Sequence, residues 1–245
     1  MIGPVWALHR GRETWWHAHA CAGANRLEGG AGADKLDGGL GDDTLQGGTG
    51  ADTLTGGTGT DTADYSASAA GVTVNLALAT AQVSGGDASG DVLATIENVT
   101  GSDYADTLTG TTAANVLDGG AGDDTLIGGA GADTLLGGDG TDTASYAAST
   151  ASVTVDLGAG AGTQGDAAGD VLTGIENLIG GTKADSLTGD DASNFISGGA
   201  GNDTLIGGAG DDTLLGGAGA DSLVGGSGID TASYSTSGSA VTVNL

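Results

Sequence analysis

The chain has very little of what compact cores and active sites are usually built from. Aromatics make up 3% of its 245 residues, and it has one proline and one cysteine. With so few large side chains, an ordinary two-domain globule of this length could not fill its interiors. The lone Cys21 excludes an internal disulfide. Five basic residues stand against 32 acids, a net charge of −27, which excludes nucleic acid and acidic membrane surfaces as partners and makes cations the natural counterpart. No run approaches the ~18 apolar residues of a membrane-spanning helix. There is no histidine after His19, no H-E-x-x-H and no Gly-Lys-Ser/Thr phosphate loop. GAGTQG (160–165) fits G-x-G-x-x-G, but no helical pattern follows, and a chain with 52 glycines meets that spacing by chance. A Ser-His-Asp site would have to borrow its histidine from His9, His17 or His19, and paired acids sit in open repetitive turns without a cleft. No enzymatic activity is expected.

The scarce residue types cluster at one end. All three tryptophans, all three histidines, Cys21, Pro4 and Met1 lie within residues 1–21, with Arg10, Arg12 and Arg26 in or near the same stretch. Residues 1–19 therefore read as an atypical leader, disordered or misassigned, outside the architecture of the rest. The leader lacks the basic start and the uninterrupted apolar run of a secretory signal. His17, His19 and Cys21 alternate and could line one strand face as metal ligands; a poorly ordered tail is the plainer reading.

What the chain has in quantity is glycine, aspartate and a period. The unit is a nonapeptide, G-G-x-G-x-D-x-L-x. It begins at Gly29, Gly38, Gly47 and Gly56, at Gly119, Gly128 and Gly137, and at Gly198, Gly207, Gly216 and Gly225. Degenerate copies keep Asp or Asn at position six and extend the blocks to residues 20–64, 101–145 and 180–233. Each block ends with Ala at position eight and Tyr two residues on: Ala63 and Tyr65, Ala144 and Tyr146, Ala232 and Tyr234. VTVNL, VTVDL and VTVNL follow. Two spacers, 65–100 and 146–179, close on DVLATIENV and DVLTGIENL, and a truncated third occupies 234–245. The VTV, DVL and IEN runs read as short strands, and helical periodicity is missing.

The unit predicts its own geometry. Three glycines permit a tight turn with positive φ. The segment x-L-x is a short strand with the leucine inward. Two nonapeptides then make an 18-residue coil, and coils stack in parallel about 4.8 Å apart. Leu36, Leu45, Leu54, Leu126, Leu135, Leu205, Leu214 and Leu223 would form a thin core, with rows of Thr at position seven outside. Position six returns to the same place at every second nonapeptide, which sets Asp34 beside Asp52, Asp43 beside Asp61, Asp124 beside Asp142, Asp203 beside Asp221 and Asp212 beside Asp230. Two carboxylates about 5 Å apart repel by roughly 3 kcal/mol at an effective dielectric near 20. A divalent ion between coils reverses that sign. The all-oxygen, flexible donor set of carboxylates and turn carbonyls suits Ca²⁺ better than Mg²⁺, and the missing thiolate and imidazole argue against Zn or Cu. Asp42, Asp123 and Asp211 at position five are expected to face solvent.

The run resembles the RTX, or hemolysin-type, calcium-binding nonapeptide repeat, whose G-G-x-G-x-D-x-U-x motif (U a large apolar residue) stands here eight times in full. Three further copies depart only in their Ala at position eight. The resemblance covers about residues 20–245. It implies an all-β parallel β-roll, a right-handed solenoid with two nonapeptides per coil and several Ca²⁺ ions between stacked turns. It implies that the position-six aspartates are ligands: Asp34, Asp43, Asp52, Asp61, Asp106, Asp124, Asp133, Asp142, Asp185, Asp203, Asp212, Asp221 and Asp230. Asn25, Asn115 and Asn194 carry the role only weakly. It also implies type I secretion and calcium-driven folding outside the cell. The chain then reads as a calcium-dependent folding and secretion module of a larger exoprotein, and it is expected to be monomeric. The family's secretion signal lies beyond the repeats, so a chain that stops inside a third spacer reads as a fragment. Two other readings stand beside this one: a rigid spacer in a giant adhesin, and a surface-binding or ice-binding solenoid. The second wants one regular exposed row, which the mixed residues at positions three and five do not supply.

Overall fold

The computed structural model describes residues 22–236, together with the backbone of two short strands, Trp6–Leu8 and His17–His19. The side chains of His17 and His19, and Cys21 altogether, lie outside the described residues, as do residues 237–245.

The chain winds as a flattened coil, and successive turns of the coil stack as parallel β-ladders. Every second nonapeptide comes into register: Leu27 pairs with Leu45 and Leu45 with Ala63 on one face, Leu36 with Leu54 on the other. The same step runs Leu108–Leu126–Ala144, Leu117–Leu135, Leu187–Leu205–Leu223 and Ile196–Leu214–Ala232. Among the described residues, the strands collect into sheets of 13, 8 and 4. Trp6–Leu8 and His17–His19 pair in parallel with Arg26–Ala31 and Lys35–Leu40, so backbone from the leader lies against the first repeats. This is a parallel β-roll. Among the described residues, helix is confined to two single 3-10 turns, Gly86–Ala88 and Gly165–Ala167, one in each spacer.

The expected leucines form the core. Leu36, Leu45, Leu54, Leu126, Leu135, Leu205 and Leu214 are buried, and Val74, Val99, Val155 and Leu178 continue the column through the spacers. Leu223 differs: it is only partly buried, against the last described coils. Several strands are longer than the x-L-x segment expected. Thr44–Thr49, Thr53–Thr58 and Thr134–Asp139 each run on through their glycine pair. The second glycine of each pair stays in register with its counterpart a coil away, as Gly30 does with Gly48. Its φ is positive, +104° at Gly30 and +90° at Gly48, a region L side chains disfavour.

The spacers are distorted coils. Val92–Ala94 pairs with Thr53–Thr58, Val92 against Thr53, and Asn98–Thr100 pairs with Thr62–Asp64, Asn98 against Thr62. The hydrogen bonds at these two joins span 39 and 36 positions in the chain, where a regular coil spans 18. In the second spacer, Val171 lies against Thr134 and Asn177 against Thr143, and the corresponding spans are 37 and 34. Its extra strand, Ala161–Gln164, runs antiparallel between Thr154–Asp156 and Val171–Thr173. In the first spacer the Gln82 amide serves instead, accepting from the Asn75 N–H at 2.8 Å and donating to the Asn75 carbonyl at 3.1 Å. Tyr65 and Tyr146 are buried beneath these spacers, whereas Tyr234 is 40% exposed.

Candidate metal sites

Position six lies at the two edges of the roll, where strand gives way to turn. Its side chain is fixed first by the backbone. The amide N–H of Asp34 donates to Asp52 Oδ1 one coil further on at 2.7 Å, and Asp43 donates likewise to Asp61 at 2.8 Å. Asp124 to Asp142, Asp203 to Asp221 and Asp212 to Asp230 repeat the bond at 2.8, 3.0 and 3.1 Å. All five expected pairs are therefore adjacent. Each aspartate staples its own coil to the one before.

That bond uses one carboxylate oxygen. The other, Oδ2, is buried and accepts no hydrogen bond in Asp43, Asp52, Asp61, Asp124, Asp133, Asp142, Asp203 and Asp212. Each of these oxygens turns toward the first glycine of its own repeat. A Cβ built on Gly38 would lie 2.5 Å from Asp43 Oδ2 and 2.6 Å from the Gly56 carbonyl oxygen of the next coil. Gly29 shows the same crowding, with Asp34 Oδ2 at 2.8 Å and the Gly47 carbonyl oxygen at 2.6 Å. Side-chain and backbone oxygens thus crowd the same small space, which only glycine leaves open.

The electrostatics follow. Burial pushes the carboxyl of Asp52 up to about 7 and those of Asp124 and Asp133 to about 6, against the partial relief of the donated amides. Asp43, Asp61, Asp142, Asp203 and Asp212 are raised for the same first reason. Such oxygens call for a proton or a cation. Among the described residues no three His, Cys, Asp or Glu side chains converge as a metal-holding group. A cation here would therefore take backbone carbonyls alongside carboxylates, the donor mixture of a calcium site rather than a zinc site.

The remaining expected ligands fall into two groups. Asp34 is buried in the same register, and Asp221 and Asp230 occupy it half-buried at the end of the described chain. Asp106 and Asp185 differ. Asp106 Oδ2 accepts the Ser102 N–H at 2.5 Å while Oδ1 accepts the Val72 N–H; Asp185 accepts from Gly181 and Val153 in the same way.

Four acids missed in the sequence share these edges. Asp91 and Asp170 take the position-six role in the spacers, accepting the Asp52 and Asp133 amides through Oδ1 at 2.8 and 2.9 Å. Glu97 and Glu176 accept the Asp61 and Asp142 amides. The signal was present: D-V-L and E-N-V carry the acid-x-apolar end of the repeat. Position five is also stapled, in the opposite sense. Asp42, Asp123 and Asp211 are exposed as expected, yet their Oδ1 atoms accept the N–H of Thr60, Thr141 and Ile229 one coil further on.

Stacked parallel coils with glycine turns, apolar strand centres and recurring buried carboxylates at both edges define a repeat module of the metal-binding β-roll class. The family comparison is specific. The model for the RTX calcium-binding nonapeptide repeat (4 copies) matches residues 22–45, 37–67, 100–135, 109–144, 170–205 and 197–232, more than half of the chain. The chain belongs to this family and is a calcium-binding structural repeat module. A search of curated proteins gave no match.

Proposed function

We propose that this chain is a calcium-driven folding module of a larger exported protein. In it, Asp43, Asp52, Asp61, Asp124, Asp133, Asp142, Asp203 and Asp212, together with Asp34, Asp221 and Asp230, hold Ca²⁺ with the turn carbonyls. The observation that carries the reading is the set of eight buried Oδ2 atoms that accept no hydrogen bond and sit beside backbone carbonyls. Bound there, calcium supplies the positive charge that the edge columns lack.

The chain's own residues do the rest. Position-six Oδ1 atoms tie each coil to the last, leucines close the interior, and the glycines let carbonyls approach. Without a cation, mutual repulsion of acids in a chain of net charge −27 keeps it expanded. Ligation, stapling and leucine burial then form together, so binding energy is folding energy. Site affinities of about 10⁻⁴–10⁻³ M, as in extracellular modules, leave the chain unfolded in cytosol and folded outside the cell. Family likeness supports export by type I secretion, and a monomeric, non-enzymatic role is part of the same proposal.

Far-ultraviolet circular dichroism of the chain in EDTA, in millimolar calcium and in millimolar magnesium tests this. β signal and a melting transition are expected with calcium alone. An EDTA-treated chain that keeps its full β spectrum and melting point overturns the reading.

A further inference from the structure

The buried carboxylate oxygens that accept no bond are not spread evenly. They fall in three groups: Asp43, Asp52 and Asp61, then Asp124, Asp133 and Asp142, then Asp203 and Asp212. Between the groups, both carboxylate oxygens of Asp91, Asp106, Asp170 and Asp185 have a donor, as do the Oδ1 atoms of Asn115 and Asn194, while Glu97 and Glu176 each accept a coil amide through Oε2. At the first spacer the Tyr65 hydroxyl donates to Asp91 Oδ2 at 3.0 Å, Ser102 N–H to Asp106 Oδ2, and Thr111 N–H to Asn115 Oδ1 at 2.7 Å. At the second, the Tyr146 hydroxyl donates to Asp170 Oδ2 at 2.8 Å, Gly181 N–H to Asp185 Oδ2 at 2.7 Å, and Asp190 N–H to Asn194 Oδ1 at 2.9 Å. The two spacers thus repeat one solution with different local residues. A buried tyrosine, a turn amide and an asparagine do by hydrogen bonding what elsewhere falls to a cation.

The two arrangements sit on opposite edges. Asp34, Asp52 and Asp91 follow one another along one edge, and that series ends under Tyr65. Asn115, Asp133 and Asp170 follow one another along the other, and that series ends under Tyr146. Resting on the calcium reading above, we propose that the spacers are ion-free joints that split the calcium column into three separate segments. Asp91, Asp106, Asp170 and Asp185 serve as hydrogen-bonding staples, not calcium ligands, although two of them carry the repeat's own aspartate at position six.

The test is the number of calcium ions bound per chain, measured by equilibrium dialysis on the full chain, with circular dichroism at saturating calcium to confirm folding. Asp124→Asn, a substitution in the middle segment, is expected to lower the number by at least one. Asp91→Asn, Asp106→Asn, Asp170→Asn and Asp185→Asn are each expected to leave it unchanged, because none of the four holds an ion; asparagine keeps the Oδ1 acceptor, and at Asp91 and Asp170 its amide can donate to the tyrosine oxygen in place of the bond lost at Oδ2. Each joint is probed twice, so a variant that fails to fold leaves its neighbour to decide. Loss of an ion from a folded joint variant, with Asp124→Asn also losing one, overturns the joints and leaves the calcium reading standing. No loss in Asp124→Asn overturns the ligand reading itself and the joints with it.

Discussion

Gly38→Ala isolates the link between glycine and the buried carboxylate. The φ of Gly38 is not in the left-handed region, so alanine is admissible to the backbone there. The obstacle is space: the new Cβ would lie 2.5 Å from Asp43 Oδ2, 2.6 Å from the Gly56 carbonyl oxygen and 2.9 Å from Asp43 Cβ. Overpacking of this kind costs about 1–3 kcal/mol. If Asp43 swings aside, Oδ1 also gives up the Asn25 N–H, which it accepts at 2.8 Å, for about 1–3 kcal/mol more. Together these make about 2–6 kcal/mol; for a domain of this size each kcal/mol shifts the melting temperature by about 2–4 °C, so a fall of roughly 4–24 °C is expected in saturating calcium. Gly158→Ala is the control, since its Cβ would come no nearer than 3.4 Å, to Asp156 Oδ1, and it should melt as the parent does. Adding Asp43→Ala to Gly38→Ala removes the clashing oxygen, and the pair should cost less than the two single losses combined. An unchanged melting temperature for Gly38→Ala, or strict additivity in the double variant, would refute the argument that the carboxylate is what demands glycine.

In EDTA, acidification should stabilise the fold. Burial raises the folded-state values of Asp52 to about 7 and of Asp124 and Asp133 to about 6, above the ~3.9 of an unfolded chain. The folded form therefore holds more protons between about pH 4 and 7, and stability falls as pH rises through that window; a metal-free chain that gains no β signal when taken from pH 7 to 5 contradicts this. Leu126→Ala, at a fully buried site, should cost about 2–5 kcal/mol, and Leu223→Ala clearly less because that side chain is partly open; equal losses in calcium-saturated melts would count against the core assignment. Gly174, at φ +62°, matches Thr95, the one non-glycine residue with positive φ among the described residues, at +49°. Gly174→Ala should destabilise by about 1 kcal/mol, read from the same melts, and a rise in melting temperature would show that no strain is stored at that corner.

The period made the coil legible. Leucine once per nonapeptide, aspartate two before it and glycine at the turn fix the step from coil to coil, and that step alone pairs Asp43 with Asp61 and Leu36 with Leu54. The spacers were legible as strands but not as edges, because their joins, Val92 on Thr53 and Asn177 on Thr143 among them, break the period that placed everything else. Asp91 and Glu97 end in the same rows as the repeat aspartates, a fact of stacking and not of spacing. The tyrosine–aspartate pairs, Tyr65 with Asp91 and Tyr146 with Asp170, exist only once the spacer has folded back. Position five showed its exposure in the sequence, but not that an exposed carboxylate could still cap the amide of the next coil.

Five nonapeptides occupy residues 101–145, between Tyr65 and Tyr146. Five is odd, and since each nonapeptide crosses from one side of the ribbon to the other, the two tyrosine plugs land on opposite sides. Gain or loss of a single nonapeptide in that block would bring both plugs to the same side. Loss or gain of two would leave the alternation intact. Length in this molecule is therefore governed by parity: duplicating a whole coil is silent, whereas duplicating half of one rewires everything downstream.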